Sequence, residues 1–218
     1  MFPRFSRAGT PTLRWPAGPA FASSNVRALN ASVLRNSAGR WRESVRAVLT
    51  QSDWRCFSNH EAPLRDPQRC PALASLEFLH DLLHQGLGGP RGHLAHTGIS
   101  AFDPLFLLIH SSIDRVLALW QLAHPGAAWA EAGAAAMGTR AVPKGSLVDA
   151  HTPLVPFYAH NSSHPGGPEA GWSTGAFLTS AMLRNWRRLG YSYLDVDAWD
   201  AAASSPADLL ARVLAVYR

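Results

Sequence analysis

The chain has 218 residues, 47% of them apolar and 16% charged, which suffices for one packed domain or a large piece of one and excludes disorder throughout. Its formal charge is +5 with histidine neutral, but the arginines are scattered and no nucleic-acid motif appears, so a nucleic-acid partner is not expected. No run of about 18 apolar residues stands out and the N-terminus lacks the apolar stretch of a secretory signal, so neither a membrane span nor a signal peptide is expected.

Residues 1–39 are rich in Pro, Ser and Gly and are expected to be poorly structured. Seven arginines precede or neighbour the first acid, Glu43, a weak likeness to an organelle transit peptide. Pro3, Pro11, Pro16 and Pro19 interrupt any continuous amphipathic helix there, and the compartment stays open. Asn30 and Asn161 each start a triplet of the N-glycosylation type, a pattern that also recurs by chance.

From Arg40 to Gln51 the apolar positions Trp41, Val45, Val48 and Leu49 recur at helical spacing. Residues 52–71 read as a loop around Pro63 and Pro67. Cys56 and Cys70 lie in it, either as one disulfide or as two free thiols, with too few close ligands for a zinc pattern. A helix is predicted from about Pro71 to Leu87, stopped by Gly86, Gly88 and Gly89. A second is predicted from about Asp103 to Leu122, with Asp103 as N-cap and Pro104 at the first turn. Residues 125–175 look irregular, and further helices are predicted over Gly175–Arg188 and Pro206–Tyr217. No repeat and no sheet is evident. The fold class is mainly α with long irregular loops, arranged as a domain over 40–195 and a C-terminal helical extension over 196–218.

His80 and His84 stand four apart on the first predicted helix, so their rings share one face and can reach one cation. His110 sits within the apolar run Phe106–Ile109, which should be buried, and a buried imidazole needs a partner. A metal ion or an ordinary core hydrogen bond satisfies that need equally. Antiparallel packing of the two helices would bring His110 against the His80/His84 face. Three imidazoles suit copper, zinc, iron or nickel, and spacing alone does not choose among them.

The segment from Asp103 through Pro104, Phe106, His110 and Asp114 to Arg115 resembles the second copper-binding signature of tyrosinases and hemocyanins, D-P-x-F followed by H and then D. His80 and His84, followed by Gly88-Gly89 and Gly92-His93, look like the same family's first two CuB ligands and the loop after them. Trp120-Gln121, Thr152–Phe157, Trp172, and Trp186 through Tyr191 to Tyr193 are similar to the rest of a fungal-type tyrosinase core, which closes on a Y-x-Y motif. The resemblance implies a partial tyrosinase-like helical bundle, the CuB helix pair, in which His80, His84 and His110 bind one copper. It implies water or proton handling by Glu77 and by Asp81, where members that hydroxylate monophenols often carry Asn. It also implies packing of substrate rings on Phe106, a residue that plain core packing explains equally well. Asp114 and Arg115 are expected to form a structural pair. The family often has two adjacent histidines where this chain has Ile109-His110, and the second is the ligand.

The family's reaction on phenols or catechols with dioxygen uses two coppers, each supplying one electron. Only His60 precedes His80, so the CuA ligand set is not in this sequence. One copper per chain is therefore expected, with a second only if a CuA-bearing partner or an upstream segment supplies it, and one apolar face should lack its cover. The alternatives are a mononuclear copper-binding or inactive remnant without oxidase activity, and a zinc protein using the same three histidines. His93, His96, His124, His151, His160 and His164 are expected to be exposed or structural.

Overall fold

The computed structural model of the chain describes residues 38–89, 92–135, 142–158 and 177–218. The expectations placed on residues 1–37, on Asn161, His160, His164 and Trp172, and on the start of the helix predicted from Gly175 lie outside the described residues.

Local chemistry sets the helix starts. Helix α1 (Ala38–Thr50) is followed by two short helices, α2 (Trp54–Ser58) and α3 (Ala62–Arg65). The Asp53 side chain caps α2 by accepting the Arg55 N–H. The segment 52–71 is thus not a plain loop, and Cys56 and Cys70 are joined in a disulfide that closes it. Helix α4 (Leu76–Gly88) begins later than predicted. Ser75 is extended, accepts the Phe78 N–H, and separates α4 from a 3-10 turn at Ala72–Ala74. Helix α5 (Leu105–Ala123) starts where the Asp103 carboxylate accepts the Leu105 N–H at 3.0 Å.

The region after α5 departs from expectation. It contains two antiparallel strand pairs, β1 (Gly133–Ala134) with β2 (Leu147–Val148), and β3 (Pro153–Tyr158) with β4 (Phe177–Thr179). Val148 faces Gly133, and Thr179 faces Pro153. These strands are short and prolines interrupt their patterning, so no period-two signal is legible. In place of one helix to Arg188 there is β4, a single turn α6 (Ser180–Leu183) and a 3-10 turn at Trp186–Leu189, which ends at Gly190 with φ 82°. Two further helices follow, α7 (Leu194–Ala202), which no sequence signal predicted, and α8 (Pro206–Val216), where Ser205 caps and Pro206 takes the first turn.

One core joins these helices. Trp120 of α5 stacks on Phe57 of α2 at 3.9 Å between ring centroids, and Trp54 leans on both Trp120 and Trp129. Val48 and Leu49 of α1, Leu79 of α4, Val116 and Leu119 of α5, Val196 of α7, and Leu209 and Val213 of α8 complete it. Full burial of a ring or branched side chain stabilises by roughly 1.5–3 kcal/mol, so this cluster dominates the fold's energetics. Residues 196–218 therefore pack into the same core as α1 and α5.

Helix α5 is apolar and long enough, at 19 residues, to meet the length and composition of a membrane span. Its own pairs explain it as a core helix. Asp114 accepts from Tyr191 and Tyr193, Arg115 bonds Asp195 and Tyr217, and its second half packs among α1, α7 and α8. Asp114 and Arg115 do not pair with each other as expected; adjacent residues on a helix diverge by about 100°, so each meets a different element. The first half of α5 is less covered than its composition suggested. Ile109 is buried, but Leu107 is 69% and Leu108 64% exposed, because no described element lies over that face.

Candidate metal centre

Helices α4 and α5 pack together and bring three imidazoles to one point. One ring nitrogen from each of His80, His84 and His110 lies within 4.8 Å of the other two. The Nε2 atoms of His80 and His110 are 3.1 Å apart. A cation about 2.0–2.1 Å from each nitrogen needs nitrogen separations of roughly 3.3–3.5 Å, which small ring rotations reach.

The other nitrogen of each ring is already committed. His84 Nδ1 donates to the Leu94 carbonyl at 2.7 Å, and His110 Nδ1 donates to the Phe106 carbonyl one turn back at 2.7 Å. His80 Nδ1 lies 3.1 Å from Asp81 Oδ1. These bonds fix the tautomers so that each Nε2 presents a lone pair inward. The Nε2 of His84 is sealed from solvent and has no hydrogen-bond partner. A buried acceptor without a donor is costly, and a cation is the partner that three converging lone pairs best suit. Burial holds the His84 pKa below the usual imidazole value of 6.5, aided by the neighbouring His80 and His110 rings, against the opposing pull of the Leu94 carbonyl. The ring therefore stays neutral, as a ligand must.

The loop after α4 is part of the site. A Cβ on Gly92 would stand 1.5 Å from the Gly88 carbonyl oxygen, and a Cβ on Gly88 would stand 2.6 Å from Ala95 N. Only glycines permit this approach, which carries Leu94 to His84.

The rings open into a pocket of about 430 Å³, lined also by Asp81, Phe106, Thr97 and Ser100. Phe106 lies against His110 at 3.9 Å between ring centroids and meets His84 edge-on at 5.8 Å. Glu77 and Asp81 occupy the next row along α4. Both are engaged by His60, whose Nδ1 lies 2.8 Å from Asp81 Oδ2 and whose backbone N–H donates to Glu77 at 2.9 Å. Sequence pattern assigns His60 no role, since it has no periodic partner. The available signal was its position between Cys56 and Cys70. Of the other histidines, His93 is buried, His124 donates from Nε2 to the Leu49 carbonyl, and His151 is exposed.

Helices that gather three imidazoles, with no thiolate or carboxylate among the donors, form a helical three-histidine site of a kind that could hold a metal ion. Residues 7–123, more than half of the chain, match the family model described as the common central domain of tyrosinase. The chain belongs to the tyrosinase family of copper oxidoreductases. It is 36% identical over 167 residues to polyphenol oxidase 2 of Agaricus bisporus, covering 75% of this chain and 27% of that one. It is 30% identical over 190 residues to a tyrosinase of Neurospora crassa, covering 86% and 25%. A recombinant mushroom tyrosinase structure superposes with a TM-score of 0.71 at 28% identity, over 88% of this chain and 34% of that one. The chain thus spans about a quarter of the length of these curated relatives.

Proposed function

We propose that His80, His84 and His110 hold one copper ion, and that the chain is the CuB half of a paired-copper oxidoreductase acting on phenols or catechols with dioxygen. The observation that carries this reading is the sealed, partnerless His84 Nε2 facing two further Nε2 atoms in a family of copper enzymes. Copper, when bound, supplies one-electron redox chemistry. The chain's own residues do the rest. The Nδ1 hydrogen bonds hold the three lone pairs in place. Phe106 offers a ring on which an aromatic substrate packs at the pocket mouth. Asp81 lines the pocket and is the group we assign to receive a phenolic proton; a carboxylate has about four lone-pair sites, and two are in use. Glu77 is not part of the pocket lining and supports that row through His60.

A second reading is favoured by one observation. Among the described residues His80, His84 and His110 are the one cluster of three metal-ligating side chains. On that reading the chain alone binds a single copper and does not turn over, and oxidation needs a second three-histidine half from a partner chain or another segment.

The test is copper quantification on the purified chain together with a catechol oxidation assay. One copper per chain, lost in His84→Ala and in His110→Ala and retained in His160→Ala, is expected. Equal loss in all three variants overturns the ligand assignment. Displacement of Cu(I) by zinc under reducing conditions overturns the choice of metal. Oxygen-dependent quinone formation by the chain alone overturns the second reading.

A further inference from the structure

His60 lies in the turn between α2 and α3, inside the segment closed by the Cys56–Cys70 disulfide. It meets α4 at the row formed by Glu77 and Asp81. Nδ1 is 2.8 Å from Asp81 Oδ2, and the other oxygen, Asp81 Oδ1, is 3.1 Å from His80 Nδ1. A single carboxylate therefore joins two imidazoles, one of them in the three-histidine cluster. The turn is held in register by its own bonds. The His60 N–H donates to Glu77 at 2.9 Å, and the Glu61 N–H donates to the Asn59 side chain at 2.7 Å.

We infer that His60 is a positioning residue for the metal centre. It donates Nδ1–H to Asp81, and this fixes the carboxylate rotamer in which the second oxygen accepts Nδ1–H from His80. His80 is then kept in the tautomer that leaves Nε2 free to bind. The inference rests on the copper reading only for its consequence, not for the hydrogen-bond chain itself.

The geometry explains why the link is needed. His84 and His110 are locked by backbone carbonyls, which cannot rotate away. His80 alone depends on a side chain, and Asp81 is about a third exposed, so water competes for it. Without a second donor on Oδ2 the carboxylate is free to turn toward solvent, and His80 loses its orienting partner. Partners of this kind behind a metal-bound histidine alter metal affinity by about 10–100-fold.

The chain with His60→Ala is expected to bind copper at least about tenfold more weakly in competition with a chelator. His60→Asn restores most of that loss, because an asparagine amide nitrogen stands near the place of histidine Nδ1. His60→Gln does not, because its amide nitrogen stands near Nε2. The second measurement needs no copper. Long-range proton–nitrogen NMR of the metal-free chain reads the His80 tautomer, expected as Nδ1–H in the original chain and in His60→Asn, and mixed in His60→Ala. An unchanged His80 tautomer in His60→Ala overturns the inference, as does equal copper affinity in all variants that fold. If the original chain binds no copper, the copper reading fails and the NMR arm alone decides whether His60 positions His80.

Discussion

His84 donates from Nδ1 to the carbonyl oxygen of Leu94, ten residues along the chain, at 2.7 Å. Leu94 reaches it because the 3-10 turn His93–Ala95 is folded back against the end of α4. The glycine approach that permits this is therefore also what aims His84 Nε2 at its neighbours. The aim of one ring nitrogen thus depends on backbone contact at two other residues.

Replacing Gly92 tests that dependence. A methyl group there would have to displace the Gly88 carbonyl oxygen, 1.5 Å away, and the Gly88 Cα, 2.8 Å away. Backbone atoms on both sides cannot rotate out of the contact. Gly92→Ala is expected to cost at least about 2 kcal/mol in urea denaturation and to weaken copper binding by releasing Leu94. Gly98→Ala serves as the control, since a Cβ there meets nothing within 4 Å. Equal effects of the two substitutions would rule out the proposed contact.

Acid should act through His84. Its folded-state pKa lies below the ordinary 6.5, chiefly from burial. As pH falls below about 7, the unfolded chain takes up a proton on this residue before the folded chain does. The metal-free chain therefore loses stability from just above pH 6.5 down to the lowered value, and regains nothing below it. In His84→Ala that portion of the acid slope should vanish. A slope between pH 7 and 5 identical to that of the original chain would show that His84 does not carry it.

Much of this site is legible in the chain's residues, and the limits are physical. His80 and His84 announce themselves through helical periodicity, and Asp103-Pro104 marks the start of α5 because side-chain capping is local chemistry. His60 does not announce itself, since its bond to Asp81 spans 21 positions and depends on a turn closed by a disulfide. That one apolar face lacks its cover is legible, but that Leu107 and Leu108 lie on it is not: an apolar run reports a preference for burial, and only tertiary packing decides where a cover ends. Helix α7 carries weak amphipathic character and two early aspartates, so it is set by packing on α5 and α8 more than by its own pattern.

The Y-x-Y segment makes a prediction at the other end of the pH scale. Tyr191 and Tyr193 both donate to Asp114 Oδ2, at 2.7 and 2.6 Å. Burial and then the Asp114 carboxylate raise both phenols above their ordinary value of 10. A raised acid keeps its proton in the fold while the unfolded chain loses it, so stability present below pH 10 is lost as pH rises past it. Ultraviolet titration of the folded chain should show two of its four tyrosines failing to ionise near pH 10. In Asp114→Asn the charge that holds the protons is gone, and both phenols should ionise earlier. If that substitution leaves the titration curve where it was, the carboxylate is not the cause.

The disulfide gives the last prediction, and it separates global from local effects. Cross-linking a loop of about 15 residues removes unfolded-state entropy worth about 3 kcal/mol in the chain-entropy view. The double variant Cys56→Ser with Cys70→Ser should therefore lower stability by about that amount in denaturant. The same loop carries His60, while Leu94 and Phe106, which orient His84 and His110, lie outside it. Loss of the cross-link should thus loosen the His60–Asp81 bond first and leave the other two rings held. NMR of the metal-free double variant should show His80 changing tautomer at a temperature where His84 and His110 keep theirs. Simultaneous change in all three rings would mean that the disulfide acts only on global stability, with no separate influence on the metal centre.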